Sequence, residues 1–352
     1  MKAVKVQSPG NAKLVSDAPK PSLRPGYILV KVAAVALNPT DWKHIGFVDA
    51  PVTVGCDYSG VVEAIGEGVT KKFNIGDRVF GVLHGCNESH TDDGAFGEYC
   101  VAKGDLQMHI PENMSFEAAA TLGMGVATVG QGMYQAMKLP LPNQPIKEKT
   151  PLLIYGGSSA MGSYGIQYGV ASGFDVLATA SPHNFSYVKS LGASAVYDYR
   201  SSTVGADIRK ATNNKLYVAW DAISEGSSPQ IVADALAEPA PAGVTLKWGT
   251  ILRPKGPRSD VSQTATMMYT SIGDAYVKGG RESPASKEDF EFMKNFVEIS
   301  EKLIHEGKVK PVQFEVKGGI DDILAGLNDM KEGKVSGKKL VFTIAKLPKA
   351  GL

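Results

Sequence analysis

Hydrophobic positions in the first third of the chain recur in short, separated runs. Residues Tyr27–Val32, Gly60–Ile65 and Arg78–Val82 are rich in β-branched side chains, and Gly, Pro and Asp separate them. Short strands at such spacing, divided by strong turn signals, are typical of an all-β unit of barrel-like form. The N-terminal residues fit this pattern, since they predict two strands around a turn at residues 9–11. We therefore expect a β-rich unit up to about residue 115.

The pattern changes at Ser115, which begins a helix-capping sequence. Residues Ala119–Met137 then have helical spacing with few charges. From Pro151 onwards apolar strands alternate with helical segments, and the predicted strands are residues 151–155, 175–180, 195–197, 217–220 and 245–251. Repeated alternation of this kind predicts βαβ units on a parallel sheet.

After Ser283 the chain returns to a mixed pattern. An amphipathic helix is predicted over Asp289–His305, followed by a strand at residues 312–316, another helix, and a strand at residues 339–344. The stretch Arg253–Gln263 is polar and rich in Pro, so we expect a surface loop there.

The chain length and the charge balance exclude several classes of function. With 352 residues, the chain suits two domains better than a single core. It is 43% hydrophobic and 21% charged, which is typical of a soluble globular protein. The 37 Lys and Arg residues nearly balance the 36 Asp and Glu residues, so there is no basic field for a nucleic-acid backbone.

The compartment is predicted from the cysteine content and from the lack of a recognisable membrane or signal segment. No apolar stretch approaches the roughly 18 residues of a transmembrane helix, and the N-terminus lacks the apolar region of a signal peptide. The three cysteines, Cys56, Cys86 and Cys100, are an odd number and form no CxxC pair. Such usage fits a reducing compartment better than a disulfide framework. We therefore expect a cytoplasmic protein with no membrane or nucleic-acid partner.

A glycine-rich turn, Gly156–Gly162, follows the apolar strand that ends at Tyr155 and opens a helix. Small residues let the backbone turn sharply, so that free N–H groups and the positive end of the helix face a pyrophosphate. The spacing is G-x-x-S-x-x-G and departs from the G-x-G-x-x-G of many dinucleotide sites. A dinucleotide site is therefore predicted, with an ordinary strand-to-helix turn as the alternative.

The end of the next predicted strand indicates which dinucleotide binds. An NAD site places an acidic residue there to hold the ribose 2′-hydroxyl. Here the strand ends in Ala180-Ser181 without a carboxylate, whereas Ser181 and Asn184 can donate hydrogen bonds to a 2′-phosphate and Tyr199 can add a hydroxyl. Helix capping is the other role open to Ser181 and Asn184. The sequence thus favours NADPH over NADH.

Several further motifs occur in one order along the chain. They are Asn38–Lys43, Val54–Gly66, Phe73–Val79, Gly94–Tyr99, the glycine-rich turn and Gly333–Val341. Together they resemble the medium-chain dehydrogenase/reductase superfamily over nearly the whole chain. The resemblance implies an α/β fold in which a Rossmann doubly wound parallel sheet is inserted into a split, β-rich catalytic domain of the GroES-like type. It implies residues 1–122 and 283–352 for the catalytic domain and residues 123–282 for the NADPH-binding domain.

The residues at the zinc-ligand positions of this superfamily predict a zinc-independent member. The zinc alcohol dehydrogenases use a Cys, a His and a further Cys, and the matching positions here hold Asn38, Cys56 and Met124. One soft ligand among three cannot hold a zinc ion. The four-cysteine structural lobe is missing as well, since residues 80–100 contain Cys86 and Cys100 alone. We therefore expect no metal.

Within the zinc-independent branch, the sequence is most similar to the fungal trans-acting enoyl reductases that serve polyketide synthases. The similarity rests on the Ser181–Phe185 turn and on Tyr197–Arg200, where Tyr199 matches the tyrosine that such reductases place on the 2′-phosphate. The resemblance implies cofactor contacts by Thr40, Lys43, Thr128, Ser158, Ser159, Ala160, Met161, Ser181, His183, Asn184, Tyr199, Ile251, Leu252, Val335 and Ser336. It implies a substrate site bordered by Gly125, Val126, Gln131, Ser271 and Ile272.

The implied reaction transfers a hydride from NADPH to the β-carbon of an α,β-unsaturated polyketide thioester. Negative charge then develops on the carbonyl oxygen and needs hydrogen-bond donors. Lys43 is the best charged candidate for this catalytic role, with Asn38 and Thr40 nearby, and none of the six histidines has a catalytic setting. The expected partner is a polyketide synthase, and the chain is expected as a monomer or a homodimer.

Two other functions stay open at this point. One is an NADPH quinone or alkenal oxidoreductase of the same fold, which differs mainly in a substrate pocket that sequence does not show. The other is an NADPH-binding protein that has lost its chemistry.

Overall fold

The chain divides into two compact units. The computed structural model describes residues 1–49 and 51–347. The first unit comprises residues 1–127, residues 269–305 and the chain from Pro311 on, and the second comprises residues 128–268 and 306–310. The second unit is thus inserted into the sequence of the first. The expected boundaries of the catalytic and NADPH-binding domains, at residues 122 and 283, stay a prediction.

The strands and helices of the described residues are numbered in chain order. The strands are β1 (Ala3–Ser8), β2 (Asn11–Val15), β3 (Tyr27–Ala36), β4 (Asp57–Ile65), β5 (Arg78–Val82), β6 (Tyr99–Lys103), β7 (Met108–His109), β8 (Pro151–Tyr155), β9 (Asp175–Ala180), β10 (Ala195–Asp198), β11 (Val218–Asp221), β12 (Leu246–Thr250), β13 (Val261–Ala265), β14 (Tyr276–Lys278), β15 (Arg281–Ser283), β16 (Phe314–Gly318) and β17 (Lys339–Thr343). The helices are α1 (Pro39–Ile45), α2 (Phe116–Ala119), α3 (Gly123–Val129), α4 (Ala160–Ala171), α5 (Phe185–Ser190), α6 (Val204–Ala211), α7 (Ser228–Ala235), α8 (Lys287–His305) and α9 (Ile323–Lys331). Residues Gly130–Ala136 form a π-helical turn, and 3-10 turns lie at Gly104–Leu106, Pro182–Asn184, Met268–Ile272 and Ile320–Asp322.

The first unit is built around strand β3. Its main sheet follows the order β16-β17-β3-β4-β5-β7, and β6 also pairs with β3. These pairs are antiparallel except for β16 with β17. Strand β3 is buried along its length apart from Lys31, and its register with β4 shifts twice. Such bulges bend a strand and increase its twist, which allows β3 to pair with β4, β6 and β17.

The second unit contains one parallel sheet in the order β10-β9-β8-β11-β12-β13. Counted from β8, this is the 3-2-1-4-5-6 order of the doubly wound dinucleotide-binding fold. Helices α4 to α7 provide the connections from β8 to β12. Because the chain order reverses between the neighbouring strands β8 and β11, a crevice forms at their carboxyl ends. The predicted fold class, a parallel doubly wound sheet inserted into a β-rich unit, is confirmed.

Three segments differ from the pattern-based expectation. The helix expected over Ala119–Met137 is divided into α2, α3 and the π-helical turn, since the Met124 N–H bonds to the Asp57 carboxylate (2.5 Å) at the start of α3. Strand β13 begins inside the stretch expected to be a loop. It pairs with β12 alone and carries polar, partly exposed residues, so it lacks the apolar run that predicts a buried strand. The short hairpin of β14 and β15 was not predicted either.

Helix α8 docks on the first unit through an apolar stripe and one carboxylate. Its buried side chains recur at helical spacing from Met293 to Ile304. Glu301 accepts hydrogen bonds from the His109 backbone N–H (2.6 Å) and ring Nδ1 (2.9 Å), and it pairs with Lys71 Nζ (2.7 Å). Burial by itself raises the pKa of Glu301, but the bonds from His109 and the charge of Lys71 outweigh it and lower that pKa to about 2. In the described part of the chain, no helix combines the length and the apolar character needed to cross a membrane.

We expect Glu301→Gln to lower the free energy of unfolding by about 1–2 kcal/mol at neutral pH, because the neutral amide loses charge-assisted hydrogen bonds. The pKa of Glu301 is lower in the folded than in the unfolded chain. The carboxylate therefore stabilises fully above its unfolded pKa of 4.5 and loses its effect as the pH falls toward 2. Urea unfolding at about pH 7 and about pH 4 should show the difference shrinking at the lower pH. Glu298→Gln, exposed on the same helix, is the control, and a difference that grows in acid would contradict the assignment.

Candidate functional site

The glycine-rich turn at the end of β8 has a backbone that side chains would not permit. Gly156 lies in the left-handed region (φ +78°), and its N–H donates to Thr179 Oγ1 (3.0 Å). A Cβ at Gly162 would lie 2.1 Å from the Gly156 carbonyl oxygen, so α4 starts directly against the turn. Ser159 caps α4, since its Oγ accepts the Gly162 N–H (3.0 Å). The turn therefore directs the first N–H groups of a twelve-residue helix toward the crevice beyond β8.

The tip of β9 brings together two hydroxyls predicted to hold a 2′-phosphate. Ser181 Oγ donates to Tyr199 Oη across 3.4 Å, and the Tyr199 side chain is 37% exposed. Neither Ser181 nor Asn184 makes a side-chain cap bond, so the helix-capping alternative is not realised. His183 is exposed in the same 3-10 turn. Ser181, His183 and Asn184 follow the end of β9, and none of them carries a carboxylate.

The acidic side chain at the end of β10 is already paired with a cation. Asp198 pairs with Arg200, whose Nη2 lies 2.9 Å from Asp198 Oδ2. The hydrogen bond from Arg200 lowers the pKa of Asp198, which stays ionised. Arg200 is therefore paired with Asp198, and the hydroxyls of Ser181 and Tyr199 lie beside each other at this tip.

A carboxylate at the end of β11, which the sequence analysis did not single out, holds the neighbouring loops. Asp221 accepts the N–H groups of Ile223 (3.0 Å) and Ser224 (2.8 Å) and the hydroxyl of Ser228 (2.6 Å). Ser224 has a φ of +60°, and its Oγ accepts the Ile251 N–H (2.9 Å). Burial raises the pKa of Asp221 despite these bonds. An Asp directly after an apolar strand is the sequence signal that could have found it.

The remaining predicted residues of the second unit lie on three elements. Ser158, Ala160 and Met161 belong to the turn and the first turn of α4, and all three are partly exposed. Leu252 follows β12 and is 38% exposed. Thr128 is half-buried near the end of α3, whereas Gln131 is buried in the π-helical turn.

In the first unit, helix α1 carries the two predicted residues Thr40 and Lys43. Its start is fixed by Asn38, whose backbone N–H donates to Asp41 Oδ2 (2.7 Å), and by Pro39 in the first turn. Burial raises the pKa of the Asp41 carboxyl to about 7. Lys43 is half-buried, and among the described residues no carboxylate lies within 4 Å of its Nζ.

The other predicted residues of the first unit are mostly enclosed. Gly125 and Val126 are buried in α3, and Ser271 and Ile272 are buried in the 3-10 turn that precedes β14. Val335 packs at the edge of the main core and Ser336 is exposed, both in the loop before β17.

A buried ion pair lies beside the positions that match zinc ligands. Lys339 Nζ pairs with Asp57 and donates to Asn38 Oδ1 (3.1 Å), while Asn38 Nδ2 donates to Asp57 Oδ2 (2.9 Å). Asp57 Oδ1 accepts the Met124 N–H (2.5 Å). All four of these residues are buried. Across residues 1–49 and 51–347, no three His, Cys, Asp or Glu side chains are placed to hold a metal ion.

A second polar cluster lies next to Thr40 and was missed by the sequence analysis. Thr40 Oγ1 lies 2.9 Å from Tyr269 Oη and 3.1 Å from His44 Nε2. Lys278 Nζ donates to His44 Nδ1 (3.1 Å) and to the Gly85 carbonyl (2.9 Å). More than 220 residues separate α1 from Tyr269 and Lys278, so no local pattern could indicate the contact.

Comparison with known proteins defines the class to which this architecture belongs. Residues 24–112 match the alcohol dehydrogenase GroES-like domain. An alcohol dehydrogenase superfamily protein from Novosphingobium aromaticivorans superposes with a TM-score of 0.79 at 20% identity, covering 98% of this chain and all of that chain. The CurK enoyl reductase gives a TM-score of 0.74 at 21% identity, covering 98% and 99%. The fold is thus that of the alcohol dehydrogenase superfamily and its medium-chain reductases.

Sequence similarity narrows this class to one family. The trans-enoyl reductase resD of Aspergillus sclerotiorum is 43% identical over 361 aligned residues, covering 98% of this chain and all of that protein. The trans-enoyl reductase ACTTS2 of Alternaria alternata is 48% identical over 348 residues, covering 97% and 98%. The chain belongs to the family of the trans-enoyl reductases. The resemblance drawn from the motifs is therefore confirmed.

We expect Lys339→Met to lower the free energy of unfolding by about 3–5 kcal/mol, since it leaves Asp57 as a buried charge without its cation. Adding Asp57→Asn should recover much of this loss, because the amide carries no charge and still accepts the Met124 N–H. Lys338→Met, half exposed on the neighbouring residue, is the matched control. Thermal or urea unfolding measures all four proteins. A Lys339→Met protein as stable as the Lys338→Met control would contradict this account of the pair.

Proposed function

We propose that the chain is an NADPH-dependent enoyl reductase that acts in trans with a polyketide synthase. The observation that carries this proposal is full-length similarity to proteins named trans-enoyl reductases, at 43% and 48% identity. The substrate is then an α,β-unsaturated polyketide thioester, and the reaction reduces its C=C bond. The names of these relatives describe reduction of an enoyl group in trans, which supports a separate synthase as the partner.

The glycine-rich turn fits a nicotinamide dinucleotide. The tight approach of Gly162 to the Gly156 carbonyl leaves no room for a side chain between the turn and α4. Ser158, Ser159, Ala160 and Met161 would hold the pyrophosphate at this helix start, where backbone N–H groups and the helix dipole favour an anion. The mycobacterial protein Rv1454c, which has a similar fold at 21% identity and a TM-score of 0.72, was solved in complex with NADPH, which agrees with this assignment.

The preference for NADPH over NADH rests on the tip of β9. We assign the 2′-phosphate to Ser181, His183, Asn184 and Tyr199. The two hydroxyls already lie 3.4 Å apart, and the exposed Tyr199 phenol and the half-buried Ser181 hydroxyl can both donate to a phosphate. A carboxylate at this tip would select the 2′-hydroxyl of NADH, and the strand end lacks one.

We assign the nicotinamide end of the cofactor to Thr40, Lys43 and Thr128, with backbone contacts from Ile251, Leu252, Val335 and Ser336. When bound, the cofactor supplies the hydride that is added to the β-carbon of the enoyl group. Lys43 would then donate to the carbonyl oxygen that becomes negative, and in the described chain no carboxylate lies within 4 Å of its ammonium to compete for it. Lys43 is therefore our candidate catalytic residue.

We assign the substrate to Gly125, Val126, Gln131, Ser271 and Ile272. Gln131 supplies a buried amide, and Val126 and Ile272 are buried apolar side chains. Such a lining suits an acyl chain with one polar group to orient. In this assignment residues 1–122 and 283–352 serve as the catalytic domain and residues 123–282 as the NADPH-binding domain.

Steady-state assays decide between this function and the quinone reductase alternative. We expect NADPH oxidation with a short α,β-unsaturated pantetheine thioester and a saturated thioester as the product by mass spectrometry. Lys43→Met should lower kcat by about 10- to 100-fold, because one charged donor to the oxyanion is lost. Lys72→Met, an exposed lysine of the same unit, is the control. Turnover of quinones without any turnover of enoyl thioesters would refute the proposal.

The cofactor assignment has its own test. Ser181→Asp should raise the Kd for NADPH by about 10-fold or more, since a carboxylate repels the 2′-phosphate, and should leave the Kd for NADH little changed. Ser190→Asp, exposed at the end of α5, is the matched control. Fluorescence titration of the unsubstituted protein and both variants with NADPH and with NADH measures the six dissociation constants. Equal weakening of NADPH and NADH binding would place the 2′-phosphate elsewhere.

A further inference from the structure

Asp221 is the last residue of β11 and lies between two segments that are assigned to the cofactor. In the parallel sheet it pairs with Tyr155 at the end of β8 on one side and with Thr250 at the end of β12 on the other. The residues that follow these partners are Gly156, the first of the glycine-rich turn, and Ile251. They all lie at the carboxyl edge of the sheet, where doubly wound folds bind their ligands.

The Asp221 carboxylate orders the loop after β11. Its Oδ1 accepts the N–H groups of Ile223 (3.0 Å) and Ser224 (2.8 Å), and its Oδ2 accepts the Ser228 hydroxyl (2.6 Å). Ser224 has a φ of +60°, which is uncommon for a residue with a side chain. Within residues 128–268 it is the one buried residue among the non-glycine residues of positive φ. Backbone strain of this kind persists only where surrounding bonds hold it, and Asp221 provides such bonds here.

The Ser224 hydroxyl links this loop to the segment after β12. Its Oγ donates to the Asp221 carbonyl oxygen (2.8 Å), because a carbonyl oxygen can only accept, and it accepts the Ile251 N–H (2.9 Å). Ile251 is half-buried and Leu252 is 38% exposed, so this backbone borders the open edge of the sheet. The loop after β11 therefore sets the position of a backbone segment that is assigned to the nicotinamide end of the cofactor.

The same loop packs against the glycine-rich turn. A Cβ at Gly156 would lie 2.5 Å from Ile223 Cγ1, so the Ile223 side chain lies directly against the Gly156 backbone. The bond from the Ile223 N–H to Asp221 therefore fixes a neighbour of the turn, while the bond through Ser224 fixes the segment on the other side. One carboxylate in this way connects the loops that follow three adjacent strands, β8, β11 and β12.

We propose that Asp221 is a positioning residue that holds the backbone of Ile251 and Leu252, through the Ser224 hydroxyl, in place for the nicotinamide half of the cofactor. This inference rests on the cofactor assignment of the proposed function and does not depend on which substrate is reduced. Its effect is on affinity, because a segment that is already held in its bound conformation loses less conformational entropy when the ligand binds.

Two ligands separate this role from a merely structural one. NADPH includes the nicotinamide, whereas adenosine 2′,5′-bisphosphate ends at the first phosphate. The ratio of the Kd for NADPH to the Kd for the bisphosphate therefore reports the nicotinamide end, and a change that only loosens the unit weakens both ligands together. We expect Ser224→Ala to raise this ratio by about 5- to 10-fold, since the Ile251 N–H loses its acceptor. Ser172→Ala, which removes a buried hydroxyl bonded to Tyr134 at the other end of α4, is the matched control and should leave the ratio unchanged.

A double-mutant cycle connects Asp221 to Ser224. Asp221→Ala should raise the ratio about as much as Ser224→Ala, and the double variant should raise it no further, because both changes release the same Ile251 N–H. Asp221→Asn keeps an oxygen acceptor for the loop N–H groups, so its ratio should stay within about 3-fold of that of the unsubstituted protein. An unchanged ratio in Ser224→Ala, or a double variant whose change equals the product of the single changes, would overturn the inference. If Asp221→Ala does not fold, the ratios of Ser224→Ala and Asp221→Asn decide.

Amide hydrogen exchange followed by NMR tests the same link without a ligand. The Ile251 amide should exchange about 10-fold faster in Ser224→Ala than in the unsubstituted protein, while the Leu153 amide in the middle of the parallel sheet keeps its rate. Equal exchange rates of Ile251 in the two proteins would also contradict the inference. An unsubstituted protein that binds neither NADPH nor NADH would refute the proposed cofactor assignment and this inference with it, and that result is visible before any variant is compared.

Discussion

The buried carboxylate of Asp57 sets the positions of the chemistry-bearing elements of the first unit. It lies on β4, accepts the amide of Asn38 at the start of α1, accepts the first-turn N–H of α3 through Met124, and pairs with Lys339 on β17. In a low-dielectric interior such a charge is tolerated only when each oxygen is occupied. The ion pair of Asp57 and Lys339 therefore fixes where α1 begins. The start of α1 in turn sets the positions of Thr40, Lys43 and His44 on that helix.

The amino-acid pattern predicted those features that depend on residues close together in the sequence. The parallel strands, the turn at Gly156 and the β9 tip were predictable because each depends on neighbouring residues. The division of the long helix was not, since it depends on a bond between Met124 and Asp57, 67 residues away. The contacts of Tyr269 and Lys278 with α1 could not be predicted for the same reason. Strand β13 was not predicted because an edge strand needs no apolar run.

In the proposed NADPH site, the tip of β9 would hold the 2′-phosphate without an arginine directed at it. Arg200 forms an ion pair with Asp198, so its guanidinium charge is compensated by a residue two positions before it. Hydroxyls from two adjacent strands supply directional donors instead. In the proposed site the strand-end position of Ser181 would decide the cofactor preference, because a hydroxyl there can donate to a 2′-phosphate whereas a carboxylate would repel it.

The pairing of Lys339 with Asp57 also has a consequence for biosynthesis. The two residues are 282 positions apart, and β17 must insert beside β3 before the main sheet of the first unit is complete. The second unit, by contrast, draws its whole parallel sheet from residues 151–265. During synthesis the inserted unit can therefore fold first. The N-terminal part of the first unit then has the Asp57 carboxylate without its ion-pair partner until Lys339 has been synthesised. Among the strands of the described residues, β17 comes last in chain order, and its Leu340 and Phe342 complete the main core of the first unit.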